Sequence, residues 1–221
     1  MCRDELYNDG AIASEYEDTH LLSLMGSGQG ALHTADKPIR TPEDMKGMRI
    51  RQPSVVASHV IDAIGAAPVG MPASDAYTSL QRGVIDGLAF TWQPIQAFKL
   101  DELLSHHTNI PFYNSTFVIT MNKDKYNSLP DDLKKVIDDN SGVELSKRIA
   151  RVFDKSNEAA MAAARDKGDT MIDIPDPLND ANWKEPLLEG TQRYLEELEG
   201  LGLDGEVVYE KAKEASIACK V

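Results

Sequence analysis

The sequence predicts an α/β protein built on a parallel sheet, and three observations support this fold class. Residues 48–92 alternate short apolar strands with helical segments, joined by short connections. Hydrophobic residues make up 42% and charged residues 27% of the 221-residue chain, a balance typical of globular proteins. The sequence has no internal repeats, no low-complexity tracts and no apolar run of about 18 residues that could span a membrane.

Residues 48–92 contain five predicted elements in the order strand, helix, strand, helix, strand. "MRIRQPS" and "AAPVGM" are the first two strands, and "VIDGLAF" is the third. "VVASHVIDAIG" has helical periodicity and ends at Gly65, and "SDAYTSLQRG" is a second helix capped by Ser74 and ended by Gly83. This βαβαβ order predicts parallel strands with right-handed crossovers.

The residues before this unit give weaker signals. "DELYNDG" resembles a helix end closed by Gly10, and "HLLSLMGSGQG" predicts a short strand followed by a glycine-rich loop. The loop has glycines at alternate positions but lacks the residues of a phosphate-binding motif, so we interpret it as a flexible turn. "TPEDMKG" predicts a helical turn with Thr41 as its cap, Asp44 completing a capping box and Gly47 at its end.

The C-terminal half is predicted to be mainly helical. "IQAFKLDELLSHH" is amphipathic and predicts a helix, and "FYNSTFVITMN" predicts a long strand that could connect two lobes. A helical stretch then runs from Pro130 to Gly168 with a possible break at residues 141–142. "DTMIDIPD" is one more strand, and "WKEPLLEGTQRYLEELEGLG" is the final predicted helix.

Charge and metal-ligating residues exclude several kinds of partner. The chain has 23 basic and 36 acidic residues, a net charge of −13, which disfavours binding to nucleic acid or to an anionic membrane. Cys2 and Cys219 lack zinc-site spacing, and His106 and His107 are interpreted as surface or helix-end residues. We therefore predict no metal, no cofactor and no catalytic residues. Without a nucleophile elbow, the sequence indicates no enzyme.

The end of the first predicted strand is the candidate binding position. Ligands of parallel sheets bind beyond the carboxyl ends of the strands, where Arg51 lies on one strand and Phe90, Thr91 and Trp92 follow another. An arginine guanidinium matches a carboxylate with two parallel hydrogen bonds. From the residues alone, a structural ion pair remains open for Arg51, and core packing remains open for Phe90 and Trp92.

Three segments together resemble one family. "KPIRTPEDMKGMRIRQPS", "IGAAPVGMPASDAYTSLQRGVIDG" and "MNKDKYNSLPDDLKKVI" are similar, in order and spacing, to the DctP-like solute-binding proteins of tripartite ATP-independent periplasmic (TRAP) transporters. The resemblance implies a two-lobed, periplasmic-binding-protein-like (type II-like) α/β fold with the first lobe incomplete in this chain. It implies lobe one at 1–28 and 116–155, and lobe two with the C-terminal helices at 29–115 and 156–221.

The resemblance also implies ligand contacts. The arginine that binds the ligand carboxylate in the family corresponds to Arg51, whereas Arg49 is expected to be structural or exposed. Ser54 matches a position of polar ligand contacts. Phe90 stands where some members have asparagine, which favours a ligand with a larger apolar body, covered by Phe90 and Trp92. Thr91, between them, is a further candidate ligand contact. His33 is the only candidate cation where sugar-acid-binding members have a second arginine.

The function implied is a periplasmic receptor that captures a small organic acid and delivers it to TRAP membrane permease subunits, without inserting into the membrane itself. Two alternatives stay open: a ligand sensor for a signalling partner, and an α/β hydrolase fragment using His33 or His59. Asp86 is expected to fix a strand end through hydrogen bonds to backbone.

Overall fold

The computed structural model describes residues 7, 10 and 12–218, with the side chain of residue 218 left out. The described part contains eight strands and eight α-helices joined by short 3-10 turns. The strands are β1 (Thr19–Gln29), β2 (Ala31–Thr34), β3 (Arg49–Gln52), β4 (Ala67–Gly70), β5 (Gly87–Phe90), β6 (His106–Asn109), β7 (Asn114–Asn122) and β8 (Thr170–Asp173). The helices are α1 (Val55–Ile64), α2 (Ala76–Gln81), α3 (Gln93–Ala97), α4 (Lys123–Asn127), α5 (Asp131–Asp139), α6 (Gly142–Lys167), α7 (Lys184–Gly200) and α8 (Gly205–Ala218).

The chain divides into two compact units. The described residues of the first unit lie within Met1–Ser27, Thr116–Val152 and Leu198–Val221, and the second unit comprises Gly28–Ser115 and Phe153–Glu197. The lobe bounds predicted from the sequence differ from these units mainly at the C-terminus. The prediction assigns the residues after 197 to lobe two, whereas they group with the first unit. The predicted helix that ends at Gly10 and both cysteines lie outside the described residues, apart from residues 7 and 10.

The second unit is built on a six-stranded sheet with the order β4-β3-β5-β2-β6-β8. β3 pairs in parallel with β4 and β5, which confirms the predicted βαβαβ unit. Between β3 and β4, α1 begins at Ser54, whose hydroxyl accepts from the Ala57 amide, and it ends at Gly65. Gly65 has a φ of 103°, a left-handed conformation that side chains disfavour, so the glycine ends the helix where the sequence predicts.

The core of the second unit lies on the two faces of this sheet. One cluster includes Ile50, Ile61 and Trp183, each fully buried, and the other includes Leu88 and Leu100. Leu88 lies next to Ala89 on β5, and the two side chains enter different clusters because neighbouring residues of a strand face opposite sides. This packing fixes which residues of β3 and β5 reach the carboxyl ends of the strands.

The first unit contains α5, α8 and part of α6. Ser23 and Ser146 share a buried hydrogen bond of 2.9 Å between their hydroxyl groups, and the His20 ring stacks on Tyr126 at 3.5 Å. The predicted helical stretch from Pro130 is confirmed, with its break between α5 and α6 at residues 140–141. A further helix, α8, follows the one predicted to be the last.

Two local predictions are wrong, and one strand was not predicted. The glycine-rich segment is not a flexible turn, because β1 continues through Gly26 and Gly28 to Gln29. Ser74 does not cap α2: it lies inside a 3-10 turn that follows Pro72, and its hydroxyl donates to the Asp75 carboxylate. The strand β2 has no counterpart in the prediction, since its four residues give too little periodicity to read.

A further correction concerns the two adjacent histidines. The amphipathic segment forms only the short helix α3, because Lys99 adopts a left-handed backbone conformation with a φ of 57° and ends the helical path. A 3-10 turn follows at Leu100–Glu102, and His106 and His107 begin β6. His107 is buried rather than exposed, so the prediction of a surface or helix-end role is wrong for it.

Candidate functional site

Arg51 lies near the end of β3, in register with Val69 on β4 and Leu88 on β5. The residue is only 6% exposed, although arginine is among the residues least often buried. Its Nε donates to the Met71 carbonyl at 3.3 Å, and its guanidinium carbon lies 4.7 Å from the centre of the Phe90 ring. The sheet thus brings together two of the predicted binding residues.

One nitrogen of the Arg51 guanidinium, Nη1, is buried and makes no hydrogen bond to any described residue. Burial lowers the pKa of Arg51 from its ordinary value, because removing water disfavours the charged form. A buried cation with an unused donor costs free energy unless an acceptor, preferably an anion, completes it.

Tyr113 has the same property, although no local pattern in the sequence points to it. Its hydroxyl is buried and without a hydrogen-bond partner among the described residues. Burial strongly raises the pKa of Tyr113, while the charge of Arg51 acts to lower it, so the two side chains lie within electrostatic range of each other. Tyr113 therefore remains a neutral hydroxyl with a free donor near the Arg51 cation.

Gly30 makes room for the Tyr113 ring. A Cβ atom on Gly30 would lie 1.8 Å from a ring carbon of Tyr113, and the Gly30 amide donates to the Tyr113 carbonyl at 3.0 Å. No side chain could occupy this position without moving the ring. The glycine that looked like part of a loop in the sequence therefore places a tyrosine near Arg51.

Arg49 is engaged elsewhere, as predicted. Its Nε and Nη2 atoms donate to the two oxygens of Asp86 at 3.0 and 2.6 Å. Asp86 also accepts from the Arg49 backbone amide at 2.7 Å, which confirms its predicted role in fixing a strand end. The hydrogen bonds from Arg49 lower the pKa of Asp86. The two arginines of β3 thus differ: one has a carboxylate within the protein, and the other does not.

Ser54 has a structural contact, and Thr91 is buried. The Ser54 hydroxyl is the cap of α1, accepting from the Ala57 amide at 3.3 Å. Thr91 is 2% exposed and directly follows Phe90. The Ser54 contact occupies an acceptor position of the hydroxyl and leaves its proton free to donate.

Trp92 lies against a different set of residues from Phe90. Its indole Nε1 donates to Asn109 at 2.8 Å, and its ring centre lies 4.8 Å from that of His33 and 4.7 Å from that of His107. Trp92 also lines a cavity of about 620 Å³, together with Asn109 and Met161. Arg51 is not among the residues that line this cavity.

His33 is fully buried. Its Nδ1 lies 2.8 Å from Nδ1 of His107, and its Nε2 lies 3.2 Å from the Phe90 carbonyl. Burial, followed by the neighbouring His107, lowers the pKa of His33 well below its ordinary value. The ring is therefore neutral near pH 7, which does not suit the role of a second ligand cation.

The described residues contain no group of three or more side chains suited to hold a metal ion. Within that same part of the chain, no helix is both long and apolar enough to cross a bilayer. The notable chemistry of the second unit is thus the buried cation at Arg51, with Phe90 under it and the Tyr113 hydroxyl near it.

Comparison with known proteins identifies the family. The model of the DctP family, bacterial extracellular solute-binding protein family 7, matches residues 6–197. The chain belongs to this family. A C4-dicarboxylate-binding periplasmic protein DctP from Rhodobacter capsulatus is 28% identical over 155 residues, which cover 70% of this chain and 46% of that protein. Its namesake from Shewanella loihica is 33% identical over 50% of this chain and 35% of that protein. This family member thus spans less than half the length of either relative.

Solved structures confirm the predicted α/β, periplasmic-binding-protein-like fold of this DctP-family chain. A marine metagenome TRAP solute-binding protein specific for aromatic acid ligands, in complex with metahydroxyphenylacetate, has a TM-score of 0.91 and 32% identity over 100% of this chain and 70% of that one. A TRAP solute-binding protein from Rhodoferax ferrireducens with copurified benzoate has a TM-score of 0.84 and 34% identity over 92% and 64%. The family comprises solute-binding proteins and not enzymes. The alternative of an α/β hydrolase fragment is therefore wrong.

Proposed function

We propose that this chain is part of a periplasmic receptor that captures a small organic acid for a TRAP transporter, with Arg51 binding the ligand carboxylate. The observation that carries the proposal is the Arg51 guanidinium, which is buried without a carboxylate partner among the described residues and has Nη1 unused. A carboxylate accepts from two guanidinium nitrogens at once and would offset the cost of burying the cation.

The two neighbours of Arg51 favour an aromatic acid. The Phe90 ring already contacts the guanidinium, and it offers an apolar surface for the body of a ligand. The Tyr113 hydroxyl supplies a second donor near the cation. The solved structures at 32% and 34% identity are described with metahydroxyphenylacetate and benzoate, two acids of this kind. Ser54, Thr91, Trp92 and His33 remain proposed contacts of the same ligand, Ser54 through its free hydroxyl proton.

The proposed function implies two partners. The organic acid is the ligand, and the membrane permease subunits of a TRAP transporter are the proteins that receive it. Signalling is the alternative role for such a receptor. Transport predicts that uptake of the acid by cells requires both this protein and a permease, whereas signalling predicts that uptake is unaffected when the protein is removed.

Binding to the purified chain tests the proposal. We expect NMR titrations with benzoate, 3-hydroxybenzoate, mandelate and succinate to shift signals around Arg51, with the aromatic acids binding more tightly than succinate. If succinate binds more tightly than the aromatic acids, the ligand is a C4-dicarboxylate and the argument from Phe90 is wrong. If no acid perturbs the Arg51 region, the carboxylate site itself is refuted.

The Tyr113 hydroxyl is tested by removing one oxygen. Tyr113→Phe keeps the ring against Gly30 and deletes the free donor, so we expect benzoate affinity to fall by about three- to tenfold, as for the loss of one hydrogen bond. Tyr209→Phe, on α8 in the first unit, is the matched control and should bind benzoate as the parent chain does. Unchanged affinity in Tyr113→Phe would remove Tyr113 from the site.

A further inference from the structure

A chain of buried polar side chains extends from Phe90 across the sheet of the second unit. His33 Nε2 lies 3.2 Å from the Phe90 carbonyl, His33 Nδ1 lies 2.8 Å from His107 Nδ1, and His107 Nε2 lies 3.2 Å from Asp169 Oδ2. The two histidines are at most 1% exposed, and the Asp169 side chain is 5% exposed. We call His33, His107 and Asp169 the histidine network.

The three contacts need three protons. A carbonyl and a carboxylate only accept, so His33 Nε2 and His107 Nε2 must each carry a proton to form the outer two bonds. The central contact joins two ring nitrogens and needs one proton between them. Two neutral imidazoles carry only two protons, so the complete network holds one proton more than its neutral rings supply.

With two protons, one contact is left without a hydrogen bond. One arrangement places protons on His33 Nε2 and His107 Nδ1, and it leaves a lone pair of His107 facing the Asp169 carboxylate. The other places them on His33 Nδ1 and His107 Nε2, and it leaves a lone pair of His33 facing the Phe90 carbonyl. Hydrogen bonds to a charged acceptor are about twice as strong as those to a neutral one. The second arrangement is therefore favoured, and it leaves the Phe90 carbonyl without a hydrogen bond from His33.

Other charged groups face the network from neighbouring elements. Lys167, at the end of α6, lies 3.1 Å from Asp169 Oδ2, and Asp101 lines the same small cavity as His107 and Asp169. Burial is the largest cause of the lowered pKa of His107, and the hydrogen bond to Asp169 opposes it. The charge of Lys167 and the neighbouring His106 on β6 also act to lower that pKa. The Trp92 ring packs beside both imidazoles, with ring centres 4.8 Å from His33 and 4.7 Å from His107.

We propose that the histidine network is a proton-dependent positioning relay: binding of its third proton makes His33 a donor to the Phe90 carbonyl and so fixes Phe90 beneath Arg51. The inference rests on the proposed function for its effect on the ligand. In the relay, the proton between the two rings moves from His33 Nδ1 to His107 Nδ1. The added proton then resides on His33 Nε2, and His107 becomes an imidazolium between His33 and the Asp169 carboxylate. The total charge rises by one.

Nitrogen NMR of the histidine rings in the ligand-free 221-residue chain tests the relay directly. His20→Gln, His59→Gln and His106→Gln remove the other three of the five histidines and so assign the signals of His33 and His107. Burial lowers the pKa of both rings, so the pH is lowered from about 8 through the ordinary histidine range and on to the acid limit at which the chain stays folded. Over this range we expect His33 to change from the Nδ1–H to the Nε2–H tautomer while His107 becomes doubly protonated. An Nε2–H tautomer of His33 at every pH would overturn the proposal.

Asp169→Asn provides a second, independent test. The variant removes the charge that draws the His107 proton to Nε2, so His33 should already be the Nε2–H tautomer at high pH. If the tautomer of His33 in this variant is the same as in the parent chain at that pH, the relay is refuted. The parent and variant are compared only where their spectra show that both are folded.

Benzoate affinity measures the coupling to the ligand. Over the same pH range the parent chain should bind benzoate more tightly at acid pH, by about two- to tenfold, the value of one neutral hydrogen bond. His107→Gln should abolish this dependence, and His59→Gln should keep it. A tautomer change with pH-independent affinity would overturn the positioning role. Absence of benzoate binding at every pH would refute the proposed function, while the nitrogen spectra would still decide the relay.

Discussion

The guanidinium carbon of Arg51 lies 4.7 Å from the centre of the Phe90 ring, and no carboxylate of the described residues pairs with that guanidinium. Arg51 lies on β3, the strand next to the edge strand β4, and its contact with Phe90 partly offsets the removal of water from the cation. It also presents an aromatic surface beside the unused Nη1 donor. The pair is the structural basis for expecting an anion with an aromatic body.

Replacing Phe90 with leucine should weaken binding without abolishing it. Phe90→Leu keeps an apolar side chain but removes the ring that contacts Arg51, so benzoate affinity should fall by about two- to fivefold, the range of a partly exposed cation–π contact. Phe98→Leu removes a ring that stacks on Phe90 at 6.3 Å and leaves the Arg51 contact in place. Calorimetric titrations should show a larger loss for Phe90→Leu than for Phe98→Leu, and the reverse order would contradict the assignment.

Adding one methyl group at Gly30 should displace Tyr113. In Gly30→Ala the new Cβ would lie 1.8 Å from a Tyr113 ring carbon, and forced overpacking of this kind costs about 1–3 kcal/mol. We expect a lower melting temperature and weaker benzoate binding. Gly200→Ala is the control, because nothing lies within 4 Å of the position of its new Cβ and the residue ends α7. Equal melting temperatures for the two variants would show that Tyr113 does not pack on Gly30.

Asp86 should contribute more to stability than Arg49. Arg49→Ala removes a solvent-exposed ion pair, whereas Asp86→Ala also removes the acceptor of the Arg49 backbone amide. The difference in the free energy of unfolding should be about 1 kcal/mol, the net value of one hydrogen bond. Urea denaturation of the two variants measures it, and a larger loss for Arg49→Ala would contradict this view of the strand end.

Acid should destabilise the protein through its buried histidines. The folded-state pKa values of His33 and His107 are lowered below 6.5, so below that pH the unfolded chain binds more protons than the folded chain. The free energy of unfolding should therefore fall as the pH drops from about 7.5 to about 5.5, and it should fall less in His107→Gln. His59→Gln should behave as the parent chain does. Stability that increases with falling pH would show that the folded-state pKa values are raised.

Hydrophobic periodicity, together with the residues that begin and end helices and strands, was enough to predict the βαβαβ unit. Pro53 and Ser54 separate β3 from α1, and Gly65 ends that helix, so the local chemistry alone determines the order of elements. Arg51 and Arg49 could be separated for the same reason: β3 ends just after Arg51. What each arginine contacts depended on Asp86, which lies 37 residues from Arg49 along the chain.

The features that were missed depend on tertiary contacts. β2 is four residues long and is held by antiparallel pairing with β5 and β6, so its own sequence carries little signal. The apolar pattern before His106 continues as in a helix, and only the backbone turn at Lys99 redirects the chain into β6. The position of the Tyr113 ring depends on Gly30, which lies 83 residues earlier in the chain. No local sequence pattern predicts these contacts between distant residues.

The most direct test of the central claim compares Arg51→Ala with Arg49→Ala in benzoate titrations of the purified chain. Charge-assisted hydrogen bonds to a carboxylate are worth about 1.5–3 kcal/mol, so Arg51→Ala should weaken binding by at least about tenfold. Arg49→Ala should leave the affinity nearly unchanged, because Arg49 already pairs with Asp86. Benzoate binding to a folded Arg51→Ala variant with the affinity of the parent chain would contradict the assignment of Arg51 as the carboxylate-binding residue.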